Sequence, residues 1–226
     1  MLIGFLAFDD VTALDLVGPH EVLSRVPGAE CLVVAREASP VRAQNGIRLV
    51  ADHSFGTCPQ LDLLCVPGGP GQEACIEDAE LLQFLRNQEE GARLVAGVCT
   101  GSLILGAAGL LKGYRATTHW RYRDCLRDLG AIPVRKRVVS DRDRITAAGV
   151  SAGIDMGLFL AALLAGEHAA QAIQLQLEYD PHPPFQAGTP EQVDPDLLEE
   201  VEEKTRVDFE RRREQIRRIG AALLGT

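Results

Sequence analysis

The chain has 226 residues, 46% hydrophobic and 24% charged, enough to bury a large core in one domain. Its formal net charge of −9 argues against nucleic-acid and anionic-membrane partners and favours a small-molecule one. Six cysteines with no CxxC pair and no His/Cys cluster argue against a disulfide framework or a zinc site, and suit reduced thiols in a cytoplasmic protein.

The first ten residues form a short apolar run that turns acidic at Asp9 and Asp10 without a basic start, so they read as a first, central strand rather than a secretory leader. Residues 11–17 read as an irregular turn carrying Asp15, after which Pro19 opens a helix to about Val26. Residues 30–36 predict a strand, and residues 41–44 and 48–51 a small hairpin around Asn45-Gly46. Next come a short apolar run at 62–66, a glycine loop at 67–71 and helical spacing over 78–91, which together make a βα unit.

Residues 94–111 are apolar over a length that could cross a membrane. Cys99, Thr100 and Ser102 interrupt them, and with the glycines they divide the run into a buried strand and a buried helix. Segments 116–118, 121–129, 144–148 and 153–165 continue the alternation. Residues 181–190 are rich in proline and glycine and predict a loop, and Asp194-Pro195 caps a final helix over about 196–223. Its apolar stripe, with Leu198, Phe209 and Ile216, predicts packing on the domain or on a partner subunit. Arg211, Arg212 and Arg213 read as a solvated face balanced by Glu199, Glu200, Glu202 and Glu203. This order predicts one α/β domain over 1–226, with a largely parallel sheet flanked by helices.

Ligands of such sheets gather at the carboxyl ends of the strands. Cys99 stands at one of these ends, at a strand-to-helix corner where the unpaired N–H groups of a helix favour thiolate over thiol. The other five cysteines read as small buried hydrophobes. The loop from Pro67 to Gly71 lacks the lysine of a phosphate loop, and its Gly68 and Gly69 N–H groups, with that of Thr100, are candidate donors to negative charge developing at Cys99. Asp15 is either an acid beside the thiol or a helix cap. His119 is either a base or a structural hydrogen-bonding residue, and with Trp120 it is a candidate pocket wall. The remaining histidines have no metal-ligand spacing.

Four stretches, Val98-Cys99-Thr100-Gly101, Pro67-Gly68-Gly69, Thr117-Thr118-His119-Trp120 and Ser151-Ala152-Gly153-Ile154-Asp155, together resemble the PfpI-type branch of the class I glutamine amidotransferase-like superfamily. The resemblance implies a flavodoxin-like fold with Cys99 on a nucleophile elbow, a homodimer, and no metal or organic cofactor. It implies Cys99 as nucleophile, Asp15 as neighbouring acid, Thr100 as hydroxyl and N–H donor, and Asp180 as a second carboxylate. Residues 13–19 and 179–185 are most similar to members of the branch that hydrate isonitriles. The implied activity is therefore cysteine-dependent conversion of an organic isonitrile to the N-substituted formamide through a thioimidate-type adduct.

Thr100 stands where protease-like members carry histidine, which argues against a peptidase, and Asp15 stands where redox-protective members carry glutamate. Two alternatives stay open: cofactor-independent chemistry on a 2-oxoaldehyde, and a non-enzymatic cysteine-based sensor or protective protein. The pattern also occurs in sensor domains of regulators with an appended helix-turn-helix region. With no second helix after its last one, the chain is expected not to bind DNA directly.

Overall fold

The computed structural model describes residues 1–225. Strands β1 (Leu2–Leu6), β2 (Glu30–Ala35), β5 (His53–Ser54), β6 (Leu63–Val66), β7 (Leu94–Val98), β10 (Val138–Asp141) and β11 (Arg144–Ala147) form a seven-stranded sheet in the order β10-β11-β7-β6-β1-β2-β5. Every pairing is parallel except β10 with β11, an antiparallel hairpin at one edge. The hairpin of β3 (Pro40–Arg42) and β4 (Arg48–Val50) stands apart, as does the short pair β8 (Arg115–Ala116) and β9 (Ile132–Pro133).

Alternation along each strand sorts the core into two layers. Leu6, Leu64, Val66 and Val95 face α3 (Ala79–Glu89), α4 (Gly101–Ala107), the 3₁₀ helix Trp120–Leu126 and the last helix, through Phe84, Leu103, Leu126 and Ile216. Ile3, Phe5, Leu63, Cys65 and Val98 face α1 (Ala13–Leu23), α5 (Ala152–Ala165) and α6 (Glu167–Gln176), through Leu16, Val22, Met156, Leu160 and Ile173. Each fully buried leucine or isoleucine here contributes about 1.5–3 kcal/mol of burial free energy. The short helix α2 (Gln72–Cys75) follows β6.

Several local expectations are corrected. Helix α1 begins at Ala13 and carries Pro19 inside it, so Asp15 lies in its first turn rather than ahead of it. Helix α5 packs closely on this proline: a Cβ on Gly153 would stand 3.0 Å from the Pro19 ring. The final helix is two, α7 (Pro195–Lys204) and α8 (Arg206–Leu224), broken at Thr205, where φ is −106° and ψ 3°. Helix α8 packs on its own chain, with Phe209 5.4 Å from the Tyr122 ring and the Arg121 guanidinium 4.5 Å over Phe209.

The basic cluster on α8 is not balanced by the glutamates of α7. Arg211 makes a bidentate pair with Glu73 of α2 at 2.7 Å, and Arg212 lies 3.6 Å from the same carboxylate. Among the described residues no helix is long and apolar enough to cross a membrane.

Candidate active site

The sheet order reverses between β1 and β6, since β1 runs on to β2 on one side while β6 and β7 lie on the other. The loops after β1, β6 and β7 therefore meet at one end of the sheet. They carry Asp15, Gly68 with Gly69, and Cys99 with Thr100.

Cys99 has φ +54°, a left-handed conformation that costs a non-glycine residue of order 1–3 kcal/mol. Three hydrogen bonds hold it there. Its N–H donates to the Ala147 and Ala148 carbonyls at 3.1 and 3.0 Å, and its carbonyl accepts from the Thr118 hydroxyl at 2.6 Å. The turn is thus pinned on both sides, and Cys99 is 5% exposed.

Asp15 reaches the same space from α1 and is 1% exposed. Its Oδ2 accepts from the Gly68 N–H at 3.0 Å, while Oδ1 is buried with no nitrogen or oxygen donor upon it. Burial pushes the carboxyl up to about 7, against the lowering effects of the Gly68 N–H and of a hydrogen bond with the Cys99 thiol. The thiol in turn is raised well above its ordinary value, first by burial and then by the Asp15 charge, against the lowering effect of the Thr100 N–H. The expectation of a resting thiolate is therefore corrected. Helix α4 spans only seven residues, and its end field is outweighed by burial beside a carboxylate.

The glycine loop also behaves differently from expectation. The Gly68 N–H is taken by Asp15 and the Gly69 N–H by the Thr100 hydroxyl at 3.0 Å, so neither is free to receive a new anion. Their work is positional. A Cβ on Gly68 would stand 2.5 Å from both the Thr100 nitrogen and its hydroxyl oxygen, a distance only glycine permits. The donors left facing the sulfur are the N–H and the hydroxyl of Thr100.

His119 and Trp120 wall a cavity of about 510 Å³, together with Leu14, Ala148, Gly149 and Val150. The His119 Nδ1 accepts from the Arg121 N–H at 3.3 Å, and burial with the nearby Arg121 and Arg123 pushes the ring down to about 4. It is a neutral wall rather than a base. Asp180 is not brought to the thiol within this chain: its side chain is 86% exposed and lies 3.8 Å from the His182 ring. Among the described residues no group of three or more His, Cys, Asp or Glu side chains is arranged to hold a metal ion.

Sequence reasoning placed Thr118 in the right loop without a role, because its partner is a backbone carbonyl that no side-chain pattern reveals. The Ala147 and Ala148 carbonyls carry no sequence signal for the same reason.

A mostly parallel sheet bearing a positive-φ cysteine at a strand-to-helix corner, with a buried carboxyl beside it, defines a flavodoxin-like protein built around one thiol. The chain belongs to the DJ-1/PfpI family, which residues 1–163 match. It is 47% identical to an isonitrile hydratase of Pseudomonas putida, over 98% of this chain and 97% of that protein. A crystal structure of a THiJ/PfpI family protein from Pseudomonas syringae superposes with a TM-score of 0.93 at 43% identity, covering 96% of this chain and 90% of that one. An oxidized DJ-1 of Toxoplasma gondii shares the fold with a TM-score of 0.71 at 26% identity, over 80% of this chain and 99% of that one.

Proposed function

We propose that this chain hydrates an organic isonitrile to the N-substituted formamide, with Cys99 as nucleophile and Asp15 as the proton carrier. The buried Asp15–Cys99 pair carries the reading, supported by the near full-length likeness to a hydratase of that name.

The chemistry asks one proton to move from sulfur to carbon. Asp15 as carboxylate takes the Cys99 proton as sulfur bonds to the terminal isonitrile carbon, then hands that proton to the same carbon, leaving an N=CH–S thioimidate. The Thr100 N–H steadies the charge on sulfur meanwhile. Asp15 next accepts a proton from water as the water oxygen adds to the carbon, and the nitrogen gains that proton. The C–S bond then breaks, the hydroxyl proton returns to sulfur through Asp15, and the formamide leaves with the thiol regenerated. A carboxyl poised at about 7 serves both as base and as acid at neutral pH. Asp180 has no step in this scheme.

The aldehyde and redox-sensor readings rest on more distant likenesses, to a 24% identical glutathione-independent glyoxalase of Caenorhabditis elegans and to the oxidized DJ-1 of Toxoplasma gondii. A thiol on a residue only 5% exposed, with raised proton affinity, is poorly placed for ready oxidation.

We also infer a homodimer, formed through the face of α1 and α5. Leu14, Val17, Phe159 and Leu163 are exposed there on two packed helices, an apolar patch suited to a second copy.

The test is formamide production from cyclohexyl isonitrile by wild type and Cys99→Ala side by side. Turnover by wild type that vanishes in the variant supports the scheme. Equal turnover by both removes the covalent route, and none by wild type removes the function.

A further inference from the structure

The cavity beside the thiol is not the neutral slot that a simple isonitrile would need. Its lining adjoins the reacting groups without including them: Leu14 precedes Asp15 in the chain, the Ala148 carbonyl accepts the Cys99 N–H at 3.0 Å, and His119 follows Thr118. At its other side stand Arg123, Arg135, Lys136 and Arg137, four cations in a chain of net charge −9.

Two of the four are already neutralised. Arg135 pairs with Glu191 at 2.5 Å, and Arg137 pairs with Asp155 and donates to the Ser151 hydroxyl at 3.1 Å. Arg123 and Lys136 make no ion pair among the described residues. Arg123 is half-buried, and its Nε is fully buried without a hydrogen-bond partner. Its sequence neighbour Asp124 is turned to solvent, 3.9 Å from Arg127. His119 adds no charge, being held neutral above about pH 4. The cavity therefore keeps two cations, Arg123 and Lys136, without an ion-pair partner among the described residues. An anion entering the cavity would meet the accessible end of the Arg123 guanidinium and the Lys136 ammonium with charge-assisted bonds.

Resting on the hydration reading, we propose that the isonitrile taken by this chain carries an anionic group, a carboxylate in the simplest case, held by Arg123 and Lys136 while the isonitrile carbon reaches Cys99. Trp120, Leu14 and Val150 line the apolar part of the cavity and accommodate the organic body between the two ends.

The experiment compares kcat/KM for three substrates: isocyanoacetate, its methyl ester and cyclohexyl isonitrile. The acid is expected to exceed the ester by about tenfold or more, the gain of one charge-assisted hydrogen bond. The preference is expected to lie mainly in KM and to shrink as salt is raised. It is expected to fall toward one in Arg123→Gln, and to fall severalfold in Lys136→Gln, whose exposed side chain makes folding failure no concern.

Turnover of the ester and of cyclohexyl isonitrile with no preference for the acid overturns the anionic substrate and leaves hydration standing. An acid preference that survives both substitutions overturns the assignment to these two residues. Failure of all three substrates overturns hydration, and this proposal with it.

Discussion

The Asp15 carboxyl and the Cys99 thiol share one buried space in which Asp15 raises the proton affinity of the sulfur, while the thiol's hydrogen bond lowers that of the carboxyl. They titrate as a pair, and above about pH 7 the pair keeps one proton, the number that addition of S–H across an isonitrile carbon consumes.

The first expectation is a pH profile. The reactive form has Asp15 ionised and Cys99 protonated, so kcat/KM for cyclohexyl isonitrile should rise with pH, reach half its limit near about 7 and stay level until the thiol ionises at much higher pH. Asp15→Asn should lose at least about a hundredfold in rate, the usual contribution of a general acid or base, and with it the limb near 7. A limb unchanged in the variant would assign it to another group.

The same carboxyl should make stability fall as pH rises. Its folded value of about 7 lies above the ordinary 3.8, so between those pH values the folded chain holds a proton the unfolded chain has lost. By linkage this removes up to about 4 kcal/mol of stability from pH 4 to pH 7, with no further loss above. Asp15→Asn keeps an acceptor for the Gly68 N–H without the charge. In urea unfolding at pH 8 it should be more stable than wild type, with the advantage shrinking at pH 5.

Thr118 should matter out of proportion to its distance from any reacting atom. Thr118→Val removes the 2.6 Å bond to the Cys99 carbonyl inside a fully buried site. The expected cost is about 1–3 kcal/mol in stability, together with a loss of kcat as the positive-φ corner relaxes. Thr118→Ser should restore most of both, because the hydroxyl rather than the methyl group makes the contact. Parallel thermal unfolding and steady-state kinetics check this.

Gly68→Ala should damage the site from the opposite wall. The added methyl would lie 2.5 Å from the Thr100 nitrogen and hydroxyl oxygen, where real contacts do not occur, so either the loop or the first turn of α4 must move. Overpacking of this kind costs about 1–3 kcal/mol, and here it would also pull the Gly68 N–H off Asp15. Turnover should fall by an order of magnitude or more, and the pH limb should shift upward as the carboxylate loses its donor. Unchanged kinetics would show that the loop only tolerates glycine rather than requiring it.

Much of this protein is legible in its sequence. Alternating apolar runs at β1, β6 and β7 demand burial on both faces, and their alternation with helical spacing leaves a parallel sheet as the economical packing. Cys99 was marked by its small neighbours, and Asp15 and Thr100 by the family pattern around them. Shared motifs record side chains, and these three act through side chains or through their own position in the turn.

What the chain order could not decide is whatever depends on distant neighbours. The raised proton affinity of Cys99 comes from burial and from a carboxylate on another helix, so a rule about helix ends pointed the wrong way. The N–H groups of Gly68 and Gly69 were spent on Asp15 and Thr100, a matter of which loops touch. Arg211 found Glu73 across the fold instead of the nearer-in-sequence glutamates of α7, and Asp180 was left in solvent beside His182. Local sequence sets which conformations and chemistries a residue can offer. Tertiary packing sets dielectric, hydrogen-bond supply and charge neighbours, and these decide which of the offered chemistries is available at the site.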